Sequence, residues 1–528
     1  MKKLILFTSI FLILLSVFFS SHSKSMENTF DKKISPYNPY MAFSWGECPE
    51  QFSTADERNQ CSFAKVPLDW EDPSLGEIEV LISKYPAQNH SVKGQLWLLN
   101  GGPGDSALSF TDSFELDFAQ YTKEYDIYVI EHRGVGWSTN LNCDQSLDIH
   151  TCFDDLYKTW GEGLYKFNTT NAAQDLSYAI AKSKAINWYP SYVYGVSYGT
   201  LWAQRFSQVA PQGAQALILD SVLPPSGFGL DLWDENANMI FKLVTEHCDT
   251  DSLCATKFIY PTEASIRHTV QAFFKGEHCP SVNISKEGLQ TLTMIGTQIG
   301  WEAILMPFFH RLQRCNNSDI HSLNHAVVAL SQLLDIDLSQ SSQVTNSHLI
   351  SSPQSNIAPD IKKPPYSQEL FYLIANNEIS EIKKTPEERN TFCETAISCS
   401  TKSRRELEVQ TYQVWGNKYT DQYLYKDMFH YMPTLAMNGL LDPQTPHFHS
   451  ARLKGAFSNI NQRYVEVPYT RHAVLFSSNC SKDIMFSFIS DIWSEPNTTC
   501  LKDIPSLNFD LDDSTSLLIF NTLDEYGQ

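Results

Sequence analysis

Positive charge is scarce in this chain. It carries 39 Lys and Arg against 60 Asp and Glu, a formal net charge of −21. Nucleic-acid binding needs a cationic surface that neutralises phosphates, so this function class is disfavoured. A solvated acidic surface explains the charge most simply, and an attraction for cationic substrates is the alternative. No internal repeat or phosphate-binding P-loop is present.

Apolar runs of membrane-spanning length are missing after the amino-terminal segment. That segment has Met1-Lys-Lys, an apolar stretch from Leu4 to Phe19 and small residues at Ser21-His-Ser23. Together they predict a signal peptide over residues 1–23. The stretch is shorter than the roughly 20 residues of a spanning helix, which disfavours a membrane anchor. We expect an exported protein, in an extracellular, periplasmic, lysosomal or vacuolar compartment.

Paired C-x-x-C units are also missing, so the 12 cysteines do not suggest zinc. An even count in an exported chain favours disulfides, and we expect pairing between nearest neighbours. Six of them belong to the predicted catalytic core: Cys48, Cys61, Cys143, Cys152, Cys480 and Cys500. Six belong to a long insertion: Cys248, Cys254, Cys279, Cys315, Cys393 and Cys399. In a eukaryotic host, glycans are expected at the sequons of Asn89, Asn168, Asn283, Asn316, Asn479 and Asn497.

The pentapeptide Gly195-Val-Ser-Tyr-Gly199 lies between an apolar run from Ser191 to Tyr194 and a helical pattern from Thr200 to Phe206. A sharp turn from strand to helix needs small residues two positions before and after its serine. The pattern predicts a nucleophile elbow with Ser197 exposed above a sheet. An ordinary glycine-rich turn is the alternative.

An acid and a histidine follow the serine in the order that the α/β-hydrolase fold requires. Asp442 lies in a turn directly after the short apolar strand that begins at Thr434. His472 follows the strand-like segment that begins at Arg463. We therefore predict a triad in which His472 takes the proton of Ser197 and Asp442 orients the imidazole.

Three other residues compete for these roles. Asp220 ends the apolar segment that begins at Ala216, but it lies one strand too early for the acid. His447 and His449 are alternative bases that precede the last strand. Chain order favours Asp442 and His472 over all three, and Asp220 is interpreted as structural.

A glycine-rich loop follows another buried strand. The apolar run Gln95-Leu-Trp-Leu-Leu leads into Asn100-Gly-Gly-Pro-Gly104. Such a loop presents backbone N–H groups without obstruction by side chains, as an oxyanion hole requires. We assign one donor to Gly102 and the other to Tyr198, with Gly101 as the alternative to Gly102.

The combined motifs resemble a known family of peptidases. They are GGPG, Glu131-His-Arg-Gly-Val-Gly-Trp-Ser138, G-x-S-Y-G-T, D-P-x-T-P and R-H-A, and they cover about Val66 to Val222 and Pro433 to Cys500. The set is similar to the α/β-hydrolase serine peptidases of the prolyl aminopeptidase and tripeptidyl aminopeptidase group. The resemblance implies the same triad and an oxyanion donor from the GGPG loop. Glu131 departs from the family's usual aspartate at a position we interpret as structural.

The distance from Ser197 to Asp442 predicts a large insertion between the nucleophile and acid strands. We expect an α/β-hydrolase core over 24–223 and 433–500, a helical cap over 224–432, and an acidic tail of unassigned role over 501–528. Helical periodicity begins at Asn236 and at Leu289 in the cap. The segment 339–365, rich in Ser, Gln, Asn and Pro, suggests a mobile linker.

An aminopeptidase must recognise a free ammonium group, which a carboxylate in a closed pocket can do. The resemblance implies a cap glutamate in this role. Glu302 in Gly300-Trp-Glu-Ala is the first candidate, and Glu235 and Glu246 are alternatives.

We therefore predict a secreted serine exopeptidase that acts on peptides with a free amino terminus through an acyl-enzyme. A carboxylesterase or lipase-like hydrolase uses the same triad and is the alternative. An epoxide hydrolase or dehalogenase would need aspartate in place of Ser197. Triad chemistry needs no metal or organic cofactor. The expected partners are peptides with a free amino terminus, and neither nucleic acid nor, after signal cleavage, a membrane; the sequence leaves the oligomeric state open.

Overall fold

The computed structural model describes residues 42–49, 58–114, 117–144, 147–185, 188–340, 366–381, 383–428, 431–457 and 461–527. These residues belong to one unit that begins at Ala42. The predicted signal peptide, the first mature residues up to 41 and nearly all of the predicted linker 339–365 lie outside the described residues.

The centre of the molecule is a mostly parallel sheet. Its order is β1-β2-β4-β3-β5-β6-β7-β8, in which β2 pairs antiparallel with both β1 and β4 and the later strands run parallel. The strands are β1 (Gln60–Pro67), β2 (Glu77–Tyr85), β3 (Gly94–Leu99), β4 (Tyr125–Ile130), β5 (Ser191–Val196), β6 (Ala216–Asp220), β7 (Thr434–Gly439) and β8 (Gln462–Val467).

The parallel strands are apolar because helices and loops cover both faces of the sheet. Every residue of β3, β4, β6 and β7 is buried. In register, Leu99 lies opposite Gly195, Val196 opposite Asp220, and Gly439 opposite Val467. The carboxyl ends of these strands therefore meet at one edge, where the loops with the predicted site residues begin.

Helices surround this sheet and build the cap. They are α1 (Ile149–Trp160), α2 (Thr169–Ser183), α3 (Tyr198–Val209), α4 (Trp233–Cys248), α5 (Thr262–Phe274), α6 (Lys286–Ile299), α7 (Glu302–Arg314), α8 (Asn317–Leu334), α9 (Gln368–Ile374), α10 (Pro386–Thr395), α11 (Lys402–Trp415), α12 (His447–Ala456), α13 (Val474–Ser477), α14 (Asn479–Ser490) and α15 (Asp513–Phe520). Within the described ranges, no helix combines the length and apolar character needed to cross a bilayer.

The inserted segment leaves the sheet after β6, returns at β7 and has two parts. Helices α4 to α8 share an apolar cluster that contains Phe241, Leu292 and Phe308. Helices α9 and α11 pack instead on the core, where Leu370 and Trp415 join the cluster that covers the sheet. The insertion is therefore helical, as expected; its first part has a large apolar cluster apart from the sheet, whereas α9 and α11 of its second part pack on the core.

The acidic tail packs on the first part of the cap. Phe509, Phe520 and Tyr526 belong to the same apolar cluster as α4 to α8. The buried Arg311 of α7 donates from Nε to the carbonyl oxygen of Glu525 (2.6 Å). The segment to which the sequence assigned no role is thus part of the cap's apolar core.

All 12 cysteines form disulfides between sequence neighbours, as predicted. Those of the core are Cys48–Cys61, Cys143–Cys152 and Cys480–Cys500. Those of the insertion are Cys248–Cys254, Cys279–Cys315 and Cys393–Cys399. No disulfide joins the insertion to the core; apolar packing, hydrogen bonds and ion pairs such as Arg205–Glu378 connect them.

Candidate active site

Ser197 occupies the turn between β5 and α3. Its backbone has φ 57° and ψ −123°, a strained conformation for a residue with a side chain. A Cβ on Gly195 would overlap the Gly199 carbonyl oxygen, and a Cβ on Gly199 would overlap that of Leu99. The two flanking glycines therefore allow the turn, and Ser197 is half-buried at its apex.

Asp442 and His472 form a hydrogen-bonded pair. His472 Nδ1 lies 2.8 Å from Asp442 Oδ2, and the Asp442 side chain is fully buried. The carboxylate also accepts hydrogen bonds from the N–H groups of Gln444 (2.8 Å) and Thr445 (3.0 Å) and from Thr445 Oγ1 (2.7 Å). These contacts fix the carboxylate, which in turn orients the imidazole so that Nε2 is the nitrogen left for proton transfer.

The pair shifts the pKa of each partner. Burial by itself would lower the pKa of His472, but the charge and hydrogen bond of Asp442 raise it above the ordinary histidine value. Burial would raise the pKa of Asp442, but His472 and Thr445 lower it. The carboxylate is thus held ionised beside a histidine of increased basicity, as a general base requires.

Asp220 connects the serine turn to the histidine loop. Its carbonyl oxygen accepts from the Ser197 N–H (3.0 Å). Its carboxylate accepts from the N–H groups of Val474 (2.8 Å) and Leu475 (3.0 Å), which follow His472 closely. Asp220 therefore holds the Ser197 and His472 segments together at the sheet edge.

Among the described side chains, Ser197 Oγ has no hydrogen-bond partner. Hydrogen bonds between a nucleophile and its base are often long in the absence of substrate.

The glycine-rich loop lies directly against the serine. A Cβ on Gly101 would be 3.0 Å from Ser197 Cβ and 3.5 Å from its Oγ. The Gly101 N–H donates to Asn100 Oδ1 (2.8 Å) and is occupied. In the described part of the chain, the N–H groups of Gly102 and Tyr198 donate to no protein acceptor. This difference favours Gly102 over Gly101 as an oxyanion donor.

The Tyr198 side chain fixes the position of its own backbone. Its hydroxyl lies 3.1 Å from His132 Nε2 and 2.8 Å from Thr169 Oγ1. His132 Nδ1 lies 2.6 Å from the Arg133 carbonyl oxygen, which can only accept, so Nδ1 carries the proton and Nε2 accepts from Tyr198. Burial lowers the pKa of His132 to about 3, so this histidine is neutral.

Glu131, the departure from the family motif, braces the glycine-rich loop. Its buried carboxylate accepts from the Ser106 hydroxyl and from the Trp137 N–H (2.8 Å). Ser106 in turn uses its carbonyl oxygen to accept from Asn100 Nδ2 (2.7 Å). Burial raises the pKa of Glu131 to about 7 despite these hydrogen bonds.

The three candidate cap glutamates differ in surroundings. Glu302 is buried, and its Oε2 accepts a hydrogen bond from Arg471 Nη2 (2.7 Å). Arg471 directly precedes His472 in the chain. Glu235 pairs with Lys384 and the exposed Glu246 with Lys242. The structure brings Glu302 close to the histidine loop, but its charge is already neutralised by a guanidinium.

Sequence reasoning missed three residues of this region. Thr445 binds Asp442, and its position three residues after an aspartate is a common signal for such a turn. Asp105 directly follows the GGPG loop and carries no motif signal. Tyr366 packs on that loop from the insertion, 262 positions later, and no local pattern indicates this contact.

A family model described as the alpha/beta hydrolase fold matches residues 96–246. Together with the eight-stranded sheet, this match shows that the chain has the α/β-hydrolase fold. Two curated relatives are named tripeptidyl aminopeptidase, from Streptomyces coelicolor and Streptomyces lividans. Each is 24% identical over 212 residues, which cover 34% of this chain and 38% of the relative. The match thus spans well under half of their length.

Solved structures are similar at low identity. A proline iminopeptidase from Mycobacterium smegmatis has a TM-score of 0.35 and 13% identity, covering 82% of this chain and 98% of its own. A carboxyl esterase from Bacillus coagulans has a TM-score of 0.33 and 11% identity, covering 82% of this chain and 99% of its own.

Proposed function

We propose that this chain is an exported serine exopeptidase that releases residues from the free amino terminus of peptides, as prolyl or tripeptidyl aminopeptidases do. The main supporting observation is the buried hydrogen-bonded pair of Asp442 and His472. Asp220 connects the histidine loop to the strained turn of Ser197 by hydrogen bonds. The fold and the two relatives named tripeptidyl aminopeptidase support a hydrolase with peptide substrates.

In the proposed reaction, Ser197 Oγ attacks the scissile carbonyl carbon while its proton passes to His472 Nε2. The Asp442 carboxylate stabilises the imidazolium, and the Gly102 and Tyr198 N–H groups bind the oxyanion. Each such donor contributes about 3 kcal/mol to lowering the barrier. His472 then protonates the leaving amine, and water attacks the acyl-enzyme with His472 as base again.

Exopeptidase activity also needs a group that binds the substrate ammonium. Glu302 remains the sequence-based candidate, and its pair with Arg471 means that an ammonium would compete with a guanidinium. If Glu302 has this role, Glu302→Gln should raise KM for free-amine peptides far more than for N-blocked esters. Equal effects on both substrates would exclude it.

Export is supported by the disulfides, which form and persist in oxidising compartments. If the host glycosylates the chain, we expect glycans at five of the six sequons. Asn168 is buried at the N-cap of α2, where its Oδ1 accepts from the Asn171 N–H (2.8 Å). A glycosyl group would not fit there.

The first experiment compares the protein with its Ser197→Ala variant on prolyl, other aminoacyl and tripeptidyl amides, with a nitrophenyl ester alongside. We expect amide turnover that is lost in the variant, and fluorophosphonate labelling of the wild type alone. Cleavage of the ester but of no amide would replace the peptidase by the carboxylesterase or lipase-like alternative. Full activity in Ser197→Ala would contradict the triad.

A further inference from the structure

Asp105 extends from the end of the loop that carries the proposed oxyanion donor. Gly102 and Gly104 have φ +101° and +98°, values that favour glycine and turn the loop back on itself. A Cβ on Gly102 would lie 3.5 Å from Asp105 Cγ. The charges of Asp105 and His472 interact. The Asp105 carboxylate therefore lies beside the reacting groups.

This carboxylate has no hydrogen bond or ion pair with any described residue. Other acids near the site are all partnered: Asp220 and Asp442 by N–H and O–H donors, Glu131 by Ser106 and Glu302 by Arg471. Asp105 is half-buried, and burial raises its pKa to about 7. A desolvated acid without a partner destabilises a protein unless a ligand compensates it.

A second unpartnered group lies next to it. The Ser367 N–H donates to the Gly104 carbonyl oxygen (2.9 Å), and a Cβ on Gly104 would lie 3.4 Å from Tyr366 Cε2. The Tyr366 hydroxyl is buried and, among the described residues, has no hydrogen-bond partner. The charge of Asp105 also acts on it. Two polar groups next to Gly104, whose charges interact, thus lack a partner among the described residues.

We infer that Asp105 and Tyr366 form the subsite that binds the α-ammonium group of the substrate. This inference rests on the proposed exopeptidase function. An ammonium carries one positive charge and three N–H donors. One donor binds the Asp105 carboxylate and another binds the Tyr366 oxygen, so both unpartnered groups become satisfied. Glu302, already paired with Arg471, then has a structural role.

The position of Asp105 also indicates how many residues are released. Each residue of an extended peptide adds at most about 3.3–3.6 Å. Release of a tripeptide places the ammonium roughly 7 Å farther from the scissile carbonyl than release of one residue. Because Asp105 lies against Gly102, the proposed oxyanion donor, the subsite fits an amine one residue from the scissile bond.

The ammonium also changes the charge around the transition state. An unneutralised Asp105 carboxylate opposes the negative charge that develops on the nearby carbonyl oxygen. A bound ammonium removes that opposition. We therefore expect free-amine substrates to gain in kcat as well as in KM.

The test measures kcat and KM for wild type, Asp105→Asn, Tyr366→Phe and Glu302→Gln. The substrates are an aminoacyl nitroanilide, a tripeptidyl nitroanilide and nitrophenyl acetate, which has no amine. The rate of fluorophosphonate labelling reports on Ser197 without any amine. Asp105→Asn should lower kcat/KM for the aminoacyl amide about 10- to 100-fold, the loss typical of a charged hydrogen bond. Tyr366→Phe should lower it about 2- to 10-fold.

Asp105→Asn should lower aminoacyl-amide turnover far more than labelling or acetate hydrolysis, because only the amide presents an ammonium; the other two reactions report the effect of the substitution on His472. An equal fall in all reactions would overturn the inference, because Asp105 would then support the loop itself. An unchanged aminoacyl rate in Asp105→Asn, with a large loss in Glu302→Gln, would overturn it and leave the exopeptidase intact. Preference for the tripeptidyl amide would overturn the one-residue release. Failure of the wild type on both amides would instead refute the proposed function.

Discussion

At the scale of single residues, Asp220 shows how one buried acid can hold together the segments of the candidate site. It accepts from Ser197 through its carbonyl oxygen and from Val474 and Leu475 through its carboxylate, and it also accepts from the Tyr194 hydroxyl (2.8 Å). With the Ser221 hydroxyl (3.1 Å), these five donors are all N–H or O–H groups of the chain. Asp220 is thus satisfied without a histidine, which agrees with its interpretation as structural.

The pH dependence of serine reactivity should follow His472. Only the neutral imidazole accepts the serine proton, and its pKa is raised by Asp442, with Asp220 and Asp105 adding to the shift. Lowering the pH through a raised pKa protonates the base, so reactivity is lost on the acid side. We expect fluorophosphonate labelling to rise with pH through a midpoint above about 6.5, the ordinary histidine value.

Asp105→Asn removes one of the negative charges that raise this pKa, so its labelling midpoint should shift to lower pH. Ser197→Ala supplies the unlabelled baseline. A wild-type midpoint below about 6.5 would contradict the charge arrangement around His472.

Residues with a strong local constraint were the predictable ones. Ser197 could be found because its turn needs glycines on both sides, and Asp442 and His472 because they follow strands in a required order. Asp105 and Tyr366 could not be found in this way. Their proximity depends on how a distant part of the insertion folds back on the core, and no periodicity or turn residue encodes that.

At the scale of elements, the elbow depends on how closely α3 approaches the sheet. Gly199, in the first turn of α3, lies against the end of β3, where a Cβ would overlap the Leu99 carbonyl oxygen. The backbone atoms there belong to a central strand and cannot move aside without disturbing the glycine-rich loop that follows it. The packing of α3 on β3 therefore requires glycine.

Gly199→Ala should destabilise the protein by about 1–3 kcal/mol, the usual cost of overpacking, and should abolish labelling of Ser197. Thermal unfolding and labelling measure the two effects. Gly455→Ala is the matched control, because Gly455 lies inside α12 and a Cβ there meets nothing within 4 Å. Alanine favours helix there by up to about 1 kcal/mol, so the control should be neutral or stabilising. Similar losses in both variants would contradict the close approach.

The strands β3 to β7 were predictable as elements, because they are short apolar runs bounded by turn residues. The edge strand β8 was also predicted, although it mixes apolar and polar residues. The antiparallel strands β1 and β2 were not predicted. Each mixes buried and exposed residues, which gives a weaker pattern than that of a strand buried on both faces.

At the scale of the whole molecule, the tail and the first part of the cap form one apolar body. Arg311 and Arg314 donate to carbonyl oxygens of Glu525 and Tyr526 (2.6 and 3.2 Å), and the Tyr526 hydroxyl donates to the Phe509 carbonyl oxygen (2.9 Å). The stability of the cap therefore depends on residues that lie far beyond it in sequence.

Two substitutions on α15 test this dependence. Phe520 is 0% exposed within the shared cluster, so Phe520→Ala should cost about 3–5 kcal/mol and make the cap sensitive to limited proteolysis. Leu518, on the same helix, is 64% exposed, and Leu518→Ala should change stability by less than about 0.5 kcal/mol. Equal melting temperatures for the two variants would show that the tail does not stabilise the cap.

The hydrogen bond from the Ser367 N–H to the Gly104 carbonyl oxygen has a consequence for how such enzymes diverge. It joins the insertion to the glycine-rich loop, which carries the proposed oxyanion donor. If the cap were replaced by that of a relative, this hydrogen bond would be lost. A change of substrate specificity would then also require a new contact that supports the glycine-rich loop. Substitutions that change substrate preference and substitutions that change the turnover rate would therefore act on the same backbone contact.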